Sequence, residues 1–195
     1  VSESTSESDA PAGTGKSYLR ITQTDKSDKN GLKLLLMQMI DPKGLVKDQV
    51  NIVSGVRGAQ KFKKANQSAS GSFEPIPEGV YGLGGVEWAS GENNLSGNFG
   101  TGLGPMWVSI NPKMATARAA LGIHLDANAP GTAGCVGITN TDDLRKVATW
   151  FKQHKPTELV VDYELGSLPG QYKPIKGPGK SEVSTGAAPI QSVKG

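Results

Sequence analysis

Only one stretch of this chain, residues 141–153, spaces its apolar side chains for a helix. Leu144, Val147, Ala148 and Phe151 fall at i, i+3, i+4 and i+7, which draws a single apolar stripe down an α-helix. Every other apolar run is short and is interrupted by turn residues. Glycine numbers 26 and proline 12 among 195 residues, so long helices are excluded over most of the length. A chain of this size still buries a respectable core. That core must come from strands, and the pattern reads as mostly β with one main short α-helix.

The strands can be placed from alternation. In residues 18–22, Leu19 and Ile21 share one face, and residues 25–31 read as a polar turn. Residues 32–40 are almost continuously apolar, as in a strand buried on both faces. Asp41-Pro42-Lys43-Gly44 is a turn, and Val46, Val50 and Ile52 alternate with polar residues after it. These three segments predict a meander. Residues 61–72 are polar and expected to loop, with Lys61, Lys63 and Lys64 on a solvated edge. Residues 80–86, 107–110 and 122–124 are further short strands. Residues 88–104 are Gly- and Asn-rich without a period, a surface loop or a substrate lid. Gly102-Leu103-Gly104 within it is no nucleotide-binding loop, because no helix or Lys-Thr pair follows. Asn140 is placed to cap the helix, Asp142 and Asp143 favour its first turn, and Pro156 ends it. His154, among lysines near the helix C-terminus, reads as stabilising the helix.

The chemistry concentrates in GIHLDANAPGTAGCVGI. It holds the only cysteine, Cys135, and one of two histidines, His124, with ten residues between them. Thiol chemistry needs a base within hydrogen-bond reach and a tight turn that leaves sulfur accessible. Gly131-Thr132-Ala133-Gly134 supplies small residues for such a turn. Cys135 reads as nucleophile and His124 as general base, with the amides at Gly134 and Cys135 placed to stabilise an oxyanion. His124 needs an orienter at its other nitrogen, either a main-chain carbonyl or Asp126. Thr132 either braces the loop or bonds substrate. Trp88, Trp107 and Trp150 read as core or groove walls. No metal site is expected, because two histidines and one cysteine at 124, 135 and 154 lack zinc-ligand spacing. No cofactor is implied.

The stretch resembles the catalytic motif of the L,D-transpeptidase (YkuD-like) family: an Ile-His, a loop, then Ser/Thr-His-Gly-Cys and an apolar residue. Ile123-His124, Thr132, Gly134-Cys135 and Val136 stand at those places. Val53-Ser54-Gly55, Ile76-Pro77-Glu78-Gly79-Val80-Tyr81 and Pro105-Met106-Trp107-Val108-Ser109-Ile110 match further family segments, as do a helix over 142–154 and a strand over 158–163. The likeness covers residues 17–165. It implies a β-sandwich carrying cysteine-dependent acyl transfer on peptidoglycan stem peptides through a thioester. Cys135, His124, Gly134 and Asp126 would be catalytic, and Thr132, Ala133 and Trp107 would bind substrate. Three departures stand out. Ala133 replaces the motif's second histidine, Gly137 replaces a common arginine, and the loop is short. They weaken the hold on an acceptor and relatively favour hydrolysis over cross-linking. Rival readings are a cell-wall-degrading peptidase delivered by a virion or secretion machine, and a non-catalytic binding module on the same fold.

The remaining features set bounds. One cysteine excludes an internal disulfide. A net charge of +3 suits an anionic surface but is too small for nucleic acid, and no aromatic-interleaved basic patch exists. No run approaches the roughly 20 apolar residues of a membrane span. Residues 1–16 are Ser-, Glu- and Gly-rich, and 166–195 are rich in Pro, Gly and Lys. Both read as low-complexity tails, disordered or ordered by a partner, and as linkers or tethers to a larger assembly such as a phage particle. The implied location is extracytoplasmic, in the cell wall or periplasm, or on a virion.

Overall fold

The computed structural model describes residues 15–127 and 129–172. The expected tails over 1–16 and 166–195 fall largely outside these residues. Eight strands form one closed sheet: β1 (Tyr18–Ser27), β2 (Lys33–Ile40), β3 (Val46–Val53), β4 (Gly79–Trp88), β5 (Met106–Pro112), β6 (Leu121–Leu125), β7 (Val136–Ile138) and β8 (Glu158–Asp162). Their spatial order is β1-β2-β3-β7-β6-β5-β4-β8, and β8 returns to pair with β1. The protein is mostly β with one main helix, α1 (Thr141–His154), as the sequence pattern requires. The facing layers expected of a sandwich are joined edge to edge, so the hydrogen-bond ladder runs unbroken around the core.

The expected meander forms, with β1–β2 and β2–β3 antiparallel. Leu19 and Ile21, Leu35, Met37 and Met39, and Val50 and Ile52 point inward and are sealed from solvent. Two local readings change. The polar turn is shorter than 25–31, because β1 continues to Ser27 through a register shift after Gln23. Thr24 Oγ1 holds that irregular end by donating to Leu34 O at 2.5 Å. Lys63 is not simply solvated: it pairs at 2.7 Å with the largely buried Glu74.

Helix α1 is capped as expected, with Asn140 accepting the Asp143 N–H at 2.8 Å. Lys155, in the left-handed region at φ 46°, closes the other end by donating to Phe151 O, and Pro156 follows. Leu144, Val147 and Phe151 are buried in the main core cluster. Each such side chain contributes roughly 1.5–3 kcal/mol. The helix packs against β3, β4, β6 and β7, behind the strands that carry the candidate residues.

Packing continues past residue 165. Tyr172 is buried, meets Tyr18 edge-on at 6.1 Å and donates to Glu158 at 2.9 Å. Glu78 ties this segment down: it is fully buried and accepts from Tyr163 N, Leu165 N, Ser167 N and Ser167 Oγ at 2.6–3.1 Å. No described helix is long and apolar enough to cross a membrane.

Candidate active site

Strands β6 and β7 are parallel neighbours, with Ile123 opposite Val136 and His124 opposite Gly137. Side chains alternate across a strand. Ile123 and Val136 fill the core, so His124 faces the outer side of the sheet. Cys135, one residue before β7, falls on that same side by the same alternation. The topology thus brings the two candidate residues to one face of one ladder. The three-residue strand β7 was hidden inside the motif itself.

His124 is only 5% exposed. Trp107, its partner across the antiparallel β5–β6 ladder, stacks on the imidazole at 5.8 Å and 9°. That ring also passes over Gly122, where any side chain would overlap it. His124 Nδ1 lies 2.8 Å from Leu125 O. A carbonyl only accepts, so Nδ1 carries the ring proton and Nε2 is left as the acceptor. Burial lowers the imidazole pKa below its usual value, and the Leu125 carbonyl partly opposes this. His124 is therefore a neutral base at neutral pH.

Asp126, the other candidate orienter, is engaged differently. Its carboxylate accepts from Gly131 N at 2.9 Å and closes the loop between β6 and β7. Burial raises its pKa, against the pull of that N–H. The carbonyl alternative is the one the geometry realises.

Cys135 is half-buried. Its thiol points to Ala120 O at 3.8 Å, and no hydrogen bond joins it to His124 among the described residues. Burial pushes the thiol pKa up, while the Gly122 N–H and the Arg118 charge act the other way. Both shifts favour the neutral forms, a thiol at Cys135 and an imidazole at His124.

The turn before Cys135 is fixed by Thr132. Its hydroxyl donates to Cys135 O at 2.6 Å and accepts from Gly55 N and Gly134 N at 3.3 Å each. Bracing uses the whole hydroxyl, and Thr132 is buried. Gly134, expected to lend its amide to an oxyanion, commits that N–H to Thr132. The Cys135 N–H has no described hydrogen-bond partner and is the donor left at the turn. Ala133 exposes its side chain, and its carbonyl accepts from Arg118 Nη2 at 3.2 Å. Gly137 has a structural cause. A Cβ there would meet the Thr132 methyl at 2.9 Å, and Asp126 Cβ and a Val53 methyl at 3.2 Å. The folded-back loop leaves no room for an arginine.

Two groups at the turn escaped the sequence reading as functional candidates. Ser54, fully buried, donates to Gly134 O at 3.2 Å and accepts from Ile76 N at 2.8 Å. Arg118, 5% exposed, spans Ser68 Oγ, Pro75 O, Glu74 O and Ala133 O. Ser54 stood in the Val53-Ser54-Gly55 segment without a role assigned to it, Arg118 stood in no motif, and both reach the turn only through long-range folding.

A groove of about 930 Å³ lies between β4, the loop after it and the second half of α1; Trp88, read from sequence as a core or groove wall, lines it, while Cys135, His124, Asp126 and Thr132 do not. The 88–104 loop does approach the site, since Gly104 packs closely on Leu125 and Ala127. Among the described residues no cluster of three or more His, Cys, Asp or Glu is arranged to hold a metal ion.

No protein-family model matches the chain, and no curated protein matches it by sequence. Among solved structures, it is similar to the helical cell shape determining protein Pgp2 from Campylobacter jejuni, with a TM-score of 0.52 and 18% identity over 90% of this chain. The K307A mutant of that protein gives 0.51 and 16% over 96%. The chain spans 56% and 59% of the Pgp2 chains it matches. The fold described above is therefore one also found in a determinant of bacterial cell shape.

Proposed function

We propose that this protein is a cysteine-dependent acyl transferase or peptidase of the L,D-transpeptidase (YkuD-like) type, acting on peptidoglycan stem peptides outside the cytoplasm. The observation that carries the reading is His124, held by Leu125 O with Nε2 left as acceptor, on the same outer face as Cys135. The likeness in fold to a determinant of helical cell shape agrees with a substrate in the cell wall.

In this reading the Cys135 thiol gives its proton to His124 Nε2 as the S–C bond forms at the scissile carbonyl. The Cys135 N–H faces the developing oxyanion. The C–N bond then breaks, and His124 returns the proton to the leaving amine, leaving a thioester. An acceptor amine or water attacks the thioester, the C–S bond breaks and sulfur regains a proton. Ala133 and Gly137 offer no polar group to hold an acceptor amine. Water needs no such site, so hydrolysis is favoured relative to cross-linking.

A second reading, a non-catalytic binding module, draws on the absent thiol–imidazole hydrogen bond and the raised thiol pKa. Mass spectrometry of muropeptides incubated with wild type and with Cys135→Ala separates the two. Shortened stems or new cross-links in the wild type alone support the enzyme. Identical muropeptide profiles for both proteins favour the binding module.

A further inference from the structure

Arg118 is a buried cation with no carboxylate on its own nitrogens. Nη1 donates to Ser68 Oγ at 2.9 Å and Pro75 O at 3.2 Å, and Nη2 donates to Glu74 O at 3.0 Å and Ala133 O at 3.2 Å. All four acceptors are neutral. The Glu74 carboxylate sits one step back, accepting from Ser68 Oγ at 3.2 Å and paired with Lys63. A buried guanidinium without a direct counter-ion attracts negative charge nearby.

The group next to it is the Cys135 turn. Gly134 has φ +119°, and a Cβ there would overlap the Arg118 guanidinium. The fork therefore lies flat against the backbone that leads into Cys135, and it grips the carbonyl just before that glycine. His124, already neutral, supplies no fixed charge. The other ionisable groups around are Asp126 across the loop, Glu74 with Lys63, and the buried phenols of Tyr81 and Tyr163, both of which sense the Arg118 charge.

We propose that Arg118 is the positioning residue of this site, holding the Ala133–Gly134 turn in shape and supplying the fixed positive charge against which Cys135 becomes a thiolate. The inference rests on Cys135 being the nucleophile, and not on which substrate it attacks. Arg118 makes no contact with substrate in this role, since its four bonds all go to the protein.

The test is the pH profile of Cys135 alkylation by iodoacetamide, in which an S–C bond forms and iodide leaves. Only the thiolate reacts, so the rate follows its population. With Arg118→Gln the rate below the midpoint should fall about tenfold, as expected when one neighbouring opposite charge is removed. Arg118→Lys keeps the charge but not the fork, and should stay within about threefold of wild type. A folded Gln variant whose profile superimposes on wild type overturns the proposal. So does a Lys variant that falls as far as Gln, because the effect then comes from the fork's packing and not its charge. Should the Gln variant fail to fold, Arg118→Met takes its place, with the same fall expected and a superimposed profile again overturning the proposal. Because the readout is the thiol itself, muropeptides left intact by wild type would sink the peptidoglycan reading and leave this result standing.

Discussion

His124 divides its two nitrogens between structure and chemistry. Nδ1 is anchored to the carbonyl of the next residue, and Nε2 is left as an acceptor, the atom the proposed mechanism uses as base. Replacing it by glutamine should lower stem-peptide turnover by a factor of 10² to 10⁴, the usual worth of a general base, as read from initial rates. The same burial has a thermodynamic signature. The folded-state pKa lies below the unfolded value of 6.5, so the unfolded chain takes up the proton first as pH falls. Stability from this residue is complete above about pH 6.5 and declines as pH drops toward the depressed folded value. Urea midpoints at pH 7 and pH 5 should therefore differ more for wild type than for His124→Gln. Equal differences would show that the ring is not buried as described.

Among the elements, the first residues of β7 are tightly packed at Gly137. Gly137→Ala would force a methyl against Thr132, Asp126 and Val53, and should destabilise by about 1–3 kcal/mol, as overpacking does. Asn140→Ala removes the cap of α1 and should cost about 1 kcal/mol. Both are measurable by chemical denaturation. The elements also show what alternation could and could not reveal. The helix was legible because one stripe and one cap residue lie together in sequence. The meander was legible for the same reason. A main-chain carbonyl was one of the two orienters the sequence offered for His124, but a side-chain pattern could not show that it would be that of Leu125. Arg118 was equally hidden, because its acceptors at Glu74 and Ala133 lie 44 and 15 residues away. Thr132 showed its small polar character but not that three backbone groups would occupy it.

At the scale of the whole molecule, β8 is the seam. It pairs in parallel with β1 and antiparallel with β4, closing the ring. Glu78 secures the chain that leaves this seam. Burial alone would raise its pKa, but the Ser167 hydroxyl and the N–H groups of Leu165, Ser167 and Tyr163 outweigh it and hold the carboxyl below the usual range. Its contribution is present above the unfolded carboxyl pKa and is lost as pH falls through the folded one. Glu78→Gln should cost about 1–3 kcal/mol at pH 7, because an amide nitrogen would face backbone donors. A thermal melt at pH 7 checks this, and an unchanged midpoint would refute the clamp. The closed ring bears on motion as well. His124 lies between Ile123 and Leu125 on β6, and Ile123 faces Val136 in the fully enclosed interior. The base thus sits one residue from atoms that no breathing of a loop can expose. In amide hydrogen exchange, His124 should open only with the entire fold, at its full unfolding free energy, while the amides of the turn before β7, at Ala133–Cys135, exchange sooner. One half of the candidate pair is then as rigid as the core, and whatever adaptability the site has toward a ligand belongs to the sulfur.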